Sequence, residues 1–118
     1  MNRDSGLWYS GEYASFSVAS ETDKYRLSVS GFSGDVDDAL AAHVNPYKIA
    51  DGMQFTTPDQ DNDPASAVNC GTAGHGSGWW HNRCTRSLLN YDTNAYWNAD
   101  TDDIITDIQF ARMLLKLD

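Results

Sequence analysis

The stretch Asp59-Gln60-Asp61-Asn62-Asp63-Pro64-Ala65-Ser66-Ala67, followed by Asn69-Cys70, Gly78-Trp79-Trp80 and Cys84, decides how the 118-residue chain is read. Carboxylates at alternate positions of an irregular segment converge on one hard cation. Backbone carbonyls two and four residues further on complete an oxygen cage of the kind Ca2+ takes. The competing reading is an acidic turn that meets only solvent. Cys70 and Cys84 bracket His75, His81 and the Trp79-Trp80 pair. They close a disulfide loop of about 15 residues, worth about 3 kcal/mol in the chain-entropy treatment, or they join His75 and His81 in a tetrahedral zinc site. At this level both readings stand.

The acidic loop departs from an EF-hand where that motif is strictest. Counted from Asp59, the sixth residue is Pro64 instead of Gly and the twelfth is Cys70 instead of a bidentate Glu. Outside the loop, length and composition (41% hydrophobic, 12% aromatic, 21% charged) fit a single globular domain. No apolar run approaches the roughly 18 residues of a membrane span. The opening residues lack the apolar core of a signal peptide, which leaves a mature, truncated or cytosolic form. Net charge is −9, and 15 of the 17 acidic residues are Asp. Such a balance opposes nucleic-acid backbones and anionic membranes. Asp in place of Glu favours turns, caps and hard-cation ligation over helices.

Tyr13–Val18 and Tyr25–Ser30 each alternate apolar or aromatic residues with small ones, which predicts a β-hairpin with Tyr25, Leu27 and Val29 on one face and a turn at 21–24. The spacing predicts a short helix over 35–43, with Asp35 as N-cap, Asp37 and Asp38 in the first turn, and His43 at its end. Residues 51–82 are too polar for core and need a staple. Residues 104–117 fit either a helix or one or two terminal strands. The chain therefore divides into a lead-in (1–12), hairpin and helix (13–50), a loop-rich region (51–97) and a terminal strand or helix (98–118), all in one α+β domain.

Taken in order, Tyr25-Arg26-Leu27-Ser28-Val29-Ser30-Gly31-Phe32-Ser33-Gly34, Asp38-Ala39-Leu40, Gly52-Met53-Gln54-Phe55-Thr56-Thr57 with the acidic loop, Asn69-Cys70, Gly78-Trp79-Trp80 with Cys84, and Leu89-Asn90 resemble the C-terminal part of a fibrinogen-related domain. That family includes fibrinogen, ficolins and tachylectin-type lectins. The resemblance implies a small antiparallel sheet with a loop-rich region stapled by a Cys70–Cys84 disulfide and by calcium, in a secreted or cell-surface protein. It gives Asp61 and Asp63 as carboxylate ligands of Ca2+ and Ala65 and Ala67 as carbonyl ligands, with waters filling the shell; the neighbouring Asp59 is expected as an outer-shell helper. It places a cis peptide at Arg83–Cys84, whose amides meet the oxygen of an acetyl group such as that of an N-acetylated sugar.

The matching pocket positions are His75, His81, Arg83, Cys84 and Thr85, with Tyr96, Trp97 or Tyr91 rebuilding an aromatic wall. The loop carries one extra residue before Cys70, His75 stands where Tyr is common, Thr85 where His is, and the segment after residue 97 is short. Asp92, Asp100, Asp102, Asp103 and Asp107 crowd this remodelled stretch without a role. The expected function is calcium-dependent recognition of glycans or acetylated groups, with a fibrinogen-like protein-interaction or fibre-tip module as the alternative. Packing of identical copies, a trimer above all, is expected to cover an exposed edge. No Ser/His/Asp order, phosphate loop or paired-Glu arrangement suggests an enzyme.

Overall fold

Strand β2 (Gly11–Val18) pairs antiparallel with β3 (Leu27–Gly34) in a computed structural model of the chain, which describes residues 1–73, 77–91, 94–99 and 104–117. Val18 lies opposite Leu27 and Phe16 opposite Val29, so these four share one face, which Leu27, Val29 and Phe16 pack on the core while Val18 at the strand end stays 41% exposed. Ser15, Ser17, Ser28 and Ser30 pave the other. Leu27 and Val29 are buried, as their alternation predicts. Tyr25 lies outside the strand, half exposed, with a left-handed backbone like its neighbour Lys24. The turn between the strands holds a 3-10 helix at Glu21–Asp23.

Two glycines let the hairpin form. Gly31 has φ +70° and a Cβ there would stand 2.7 Å from that of Ala14; Gly34 has φ +143°, and its Cβ would stand 2.3 Å from the carbonyl oxygen of Ser10.

The remaining strands are short. β1 (Asn2–Arg3) pairs with β6 (Ile108–Phe110), and β4 (Ser87–Leu88) pairs with β5 (Tyr96–Trp97), so the described residues form three two-stranded antiparallel sheets. A core of Leu27, Val29, Val36, Leu40, Trp79, Leu88, Trp97 and Ile105 with small alanines joins them. The segment Ala50–Met53 extends β3: the Leu27 amide donates to the Met53 carbonyl, the Gly52 amide to that of Leu27, and the Val29 amide to the Asp51 carboxylate at 2.9 Å. Of the last stretch, 104–117, Ile105 bridges to Trp97 and Ile108–Phe110 forms β6, while 111–117 takes up no regular secondary structure.

The helix expected over 35–43 does not form. Its carbonyls are taken by distant donors: the Trp97 indole N–H bonds the Asp37 carbonyl, the Ser87 hydroxyl that of Ala39, and the Ala50 and Asp51 amides that of Leu40. Asp38 gathers the segment into a turn, its Oδ1 accepting from the Leu40 amide (3.1 Å), the Ala41 amide (2.9 Å) and the Tyr13 hydroxyl (2.5 Å). Asp35 does not cap a helix; it accepts the Ser10 amide at 2.6 Å. His43 accordingly ends no helix, and its Nδ1 receives the Asn45 amide. Side-chain acceptors this short compete with helical hydrogen bonds.

The Tyr13–Asp38 bond ties the hairpin to this turn. Burial, and then the Asp38 carboxylate, push the Tyr13 phenol well above its ordinary value; burial pushes Tyr96 up to about 12. Both phenols are raised in the folded state, so their contribution is fully present below the unfolded value near pH 10 and is lost as pH rises through the folded values. Urea melts across the alkaline range will show stability falling above about pH 10. Tyr13→Phe will lose about 1–2 kcal/mol at neutral pH and flatten that alkaline slope.

Candidate functional site

The acidic loop is built from side-chain acceptors that replace regular secondary structure. Thr57 and Gln60 exchange backbone bonds across a tight turn. The Thr57 hydroxyl donates to Asp59 at 2.7 Å and holds that carboxyl below the usual range. The Asn62 amide donates to the Thr56 hydroxyl, and its side chain donates to the Phe55 carbonyl. Asp61 accepts the Asp63 amide at 3.3 Å. Asp63 uses both oxygens: Oδ1 accepts the Ala65 amide and Oδ2 the Cys70 amide, each at 2.9 Å. Burial pushes the Asp63 carboxyl up against the pull of those two amides, and the charge of Asp61 pushes the same way.

Two neighbouring carboxylates on one exposed loop are therefore fixed within electrostatic reach of each other. No hydrogen bond among the described residues uses the carbonyls of Ala65 or Ala67. The described residues contain no cluster of three or more His, Cys, Asp or Glu side chains. A cation here would thus draw on two carboxylates, carbonyl oxygens and water. That donor set fits Ca2+, which takes mixed oxygen shells.

Cys70 continues into the second half of the site through its disulfide to Cys84, with Cα atoms 5.5 Å apart. This excludes the zinc reading, which needs both thiolates. The Arg83–Cys84 peptide is cis. The segment around it is clamped by Asn45–Ile49, which sequence reading passed over. There a 3-10 helix, Pro46–Lys48, is capped by the Asn45 side chain accepting the Tyr47 amide at 3.0 Å. The Arg83 amide donates to the Tyr47 carbonyl at 2.9 Å, and the Lys48 ammonium donates to the Arg83 carbonyl. Asn82, buried, donates to the carbonyls of Pro46 (3.2 Å) and Ile49 (3.0 Å). The Arg83 guanidinium lies over the Tyr47 ring, 4.5 Å from its centre. The only signal for this clamp in the sequence was Asn45-Pro46, a cap followed by proline at the first helical position.

The expected ligand residues separate into surface and interior. Arg83 is exposed and Cys84 half-buried, but the Arg83 amide is already committed to Tyr47. His81 is fully buried, its Nε2 against the Ser77 carbonyl. Thr85 is buried and bonds Ser87 through both its roles. Trp97 is buried with its indole N–H on Asp37. These three pack beneath the site and do not form its surface. Tyr96 is half-buried, edge-on to Tyr91 with ring centres 6.4 Å apart. Trp79 is core, while Trp80 packs against Phe16 and Phe55 and donates to the Tyr25 carbonyl. His75, Asp92, Asp100, Asp102 and Asp103 lie outside the described residues.

Around the clamp, Lys48, Arg83 and Arg86 place three of the chain's eight basic residues on one face. Burial lowers the Lys48 ammonium, and the charge of Arg86 lowers it further. No hydrogen bond or ion pair among the described residues engages the guanidinium of Arg86. Beside β6, a cavity of about 380 Å³ is lined by Tyr91, Asn94, Thr106, Asp107 and Gln109 among others.

The profile of the family described as "Fibrinogen beta and gamma chains, C-terminal globular domain" matches residues 1–112, and the chain belongs to that family. It is 37% identical over 107 residues to the human fibrinogen gamma chain, matching 81% of this chain and 23% of that one. It is 44% identical over 78 residues to human fibroleukin, matching 66% of this chain and 17% of fibroleukin. Among solved structures, the fibrinogen-like globe domain of human ANGPTL2 aligns with a TM-score of 0.66 at 33% identity, over 80% of this chain and 41% of that one. Lamprey fibrin D-dimer, complexed with the peptide ligand Gly-His-Arg-Pro-amide, aligns with a TM-score of 0.68 at 31% identity, over 86% of this chain and 34% of that one. The chain thus spans well under half the length of these relatives.

Among the described residues, removing the Asn82 side chain leaves the Ile49 carbonyl without a donor and the Pro46 carbonyl with only the Ile49 amide, at 3.4 Å. Asn82→Ala will cost about 1–3 kcal/mol in denaturant unfolding. It will also speed limited proteolysis at Tyr47–Lys48, while the Cys70–Cys84 bond stays intact by mass spectrometry.

Proposed function

We propose that the chain is an extracellular recognition domain, stapled by calcium at Asp61 and Asp63, whose Tyr47–Arg83 face binds a protein segment bringing acidic groups to Lys48, Arg83 and Arg86. The observation that carries the reading is that face itself: two exposed guanidiniums, Arg83 and Arg86, beside the half-buried Lys48 ammonium, all three without carboxylate partners among the described residues, on a chain of net charge −9. A relative, lamprey fibrin D-dimer, is complexed with a peptide, which supports a protein segment as the ligand; that peptide, Gly-His-Arg-Pro-amide, is itself basic, so the preference for acidic groups rests on Lys48, Arg83 and Arg86 alone. Membership of a family of binding modules supports an extracellular setting. No helix among the described residues is long and apolar enough to cross a membrane.

Calcium acts upstream of binding. With Asp61, Asp63 and the Ala65 and Ala67 carbonyls around it, the ion would neutralise two adjacent carboxylates. Asp63 would meanwhile keep hold of the Cys70 amide and so of the disulfide.

The glycan reading has its own support. The cavity beside Tyr91 combines an aromatic ring with Asn94, Asp107 and Gln109, the mixture of stacking surface and polar groups that suits a sugar. In this reading the aromatic wall expected near the disulfide is rebuilt at Tyr91 and Tyr96, and acetylated sugars are the first ligands to test.

Two experiments separate these claims. Calcium at 100 times its Kd will raise stability by about 2.7 kcal/mol, and this gain will vanish with chelator or in the Asp61→Ala, Asp63→Ala double variant; an unchanged melting temperature refutes calcium binding. Capture of acidic peptides from an immobilised library will weaken at least tenfold in Arg83→Gln with Arg86→Gln and will weaken with salt. Retention on an N-acetylated sugar resin with no peptide capture reverses the order of the two readings.

A further inference from the structure

The chain has three lysines, Lys24, Lys48 and Lys116, and the fold treats Lys48 unlike the other two. The Pro46–Lys48 helix fixes where it stands: the Lys48 amide donates to the Asn45 carbonyl at 3.0 Å, and Asn82 grips the carbonyls of Pro46 and Ile49 on either side. Its ammonium donates to the Arg83 carbonyl, a neutral acceptor, and no carboxylate pairs with it among the described residues.

A lysine becomes a nucleophile when its ammonium is desolvated or set beside another cation, because both penalise the charged form and free the lone pair. Lys48 meets both conditions. It is half-buried, and burial lowers the ammonium, with the charge of Arg86 acting in the same direction. Lys24, by contrast, follows Glu21 and Asp23 in the sequence, and Lys116 is exposed.

The same surroundings select the electrophile. Arg83 and Arg86 are exposed, and the Arg83 guanidinium is backed by the Tyr47 ring, 4.5 Å from its centre. Guanidiniums take phosphate and carboxylate groups through paired N–H donors, and a face of one sign steers the opposite charge toward it. A carbonyl compound that also carries an oxyanion therefore meets its nucleophile and its counter-charges together.

We propose that Lys48 is a covalent site for aldehydes bearing a phosphate or carboxylate group, its Nζ forming an imine while Arg83 and Arg86 hold the oxyanion. The lone pair of the neutral Nζ attacks the aldehyde carbon, and the C=O pair moves to oxygen. That oxygen leaves as water with the two hydrogens of Nζ, so C=N replaces C=O with no net oxidation or reduction. On protonation the imine regains one N–H, enough to keep donating to the Arg83 carbonyl, and the clamp survives the modification. The adduct sets an anion against the two guanidiniums to which the peptide reading assigns acidic groups, so on that reading it switches peptide capture off. Labelling itself needs no peptide, and the two readings fail separately.

The test treats the full chain, its disulfide formed, with limiting pyridoxal phosphate. Imines are trapped with cyanoborohydride, which spares the disulfide, and located by peptide mass mapping, with any label on an α-amino group scored apart. Lys48 will take up label at least about tenfold faster than Lys24 or Lys116, the low end of what charge steering gives. Pyridoxal, which lacks the phosphate, will lose most of that preference. Arg86→Gln, at an exposed side chain, will cut labelling of Lys48 severalfold while labelling of Lys24 and the near-ultraviolet circular dichroism spectrum stay unchanged. Glyoxylate in place of pyridoxal phosphate tests the carboxylate form; a Lys48 preference with either anion supports the proposal and names the group that is held. Equal labelling of the three lysines overturns it. So does a preference for Lys48 that persists with pyridoxal and in Arg86→Gln, because the guanidiniums then select nothing.

Discussion

The backbone amide of Cys70 donates to Asp63 while its sulfur is bonded to Cys84, and through this one residue the acidic loop, the disulfide and the clamped 82–84 segment share a single anchor. A crosslink of this loop size contributes about 3 kcal/mol by restricting the unfolded chain. In a domain whose longest strands have eight residues and whose described part holds no α-helix, that is a large share of what keeps residues 57–91 in place. The Asn82 side chain then carries the constraint outward to Pro46 and Ile49, so the exposed Tyr47–Arg83 face inherits its rigidity from a buried amide and a buried sulfur.

Much of this was readable from the residues because it rests on local chemistry. The alternation of Leu27 and Val29 with serines marks a strand half-buried in the core, and the hairpin forms there. The ordered blocks from Tyr25 to Asn90 identified the family that the profile match establishes, and with it the disulfide. What could not be read depends on partners far away in the chain. The 35–43 segment has the composition of a helix, yet its carbonyls are claimed by Ala50, Asp51, Ser87 and Trp97, and nothing in a local window announces those donors. His81, Thr85 and Trp97 looked like pocket residues by position, while their burial follows from the packing of β4 on β5 and on the core. The Tyr47–Arg83 contact spans 36 positions and has no periodic signature.

The fold also makes sense of a charge pattern that composition alone leaves open. The acidic residues do not form one field. Several are consumed inside the structure as acceptors, and of the six basic residues without a carboxylate partner among the described residues, three, Lys48, Arg83 and Arg86, lie at the clamp. A strongly acidic protein can thus present a cationic face without changing its net charge, because its carboxylates are occupied with its own backbone.

That use of aspartate sets a rule for how this protein tolerates change. Asp35, Asp38, Asp51 and Asp63 each hold a main-chain amide at 2.6 to 3.1 Å with a side chain one carbon from the backbone. Glutamate keeps the charge but adds a methylene, which moves the oxygens past the amides they serve and adds rotameric freedom to be lost. At these four positions the exchange usually counted as conservative is a structural lesion, whereas at an exposed site such as Glu12 it is a change of surface only. The protein's vocabulary for turns is one carbon long, and its scarcity of glutamate is the trace that this length has left in the sequence.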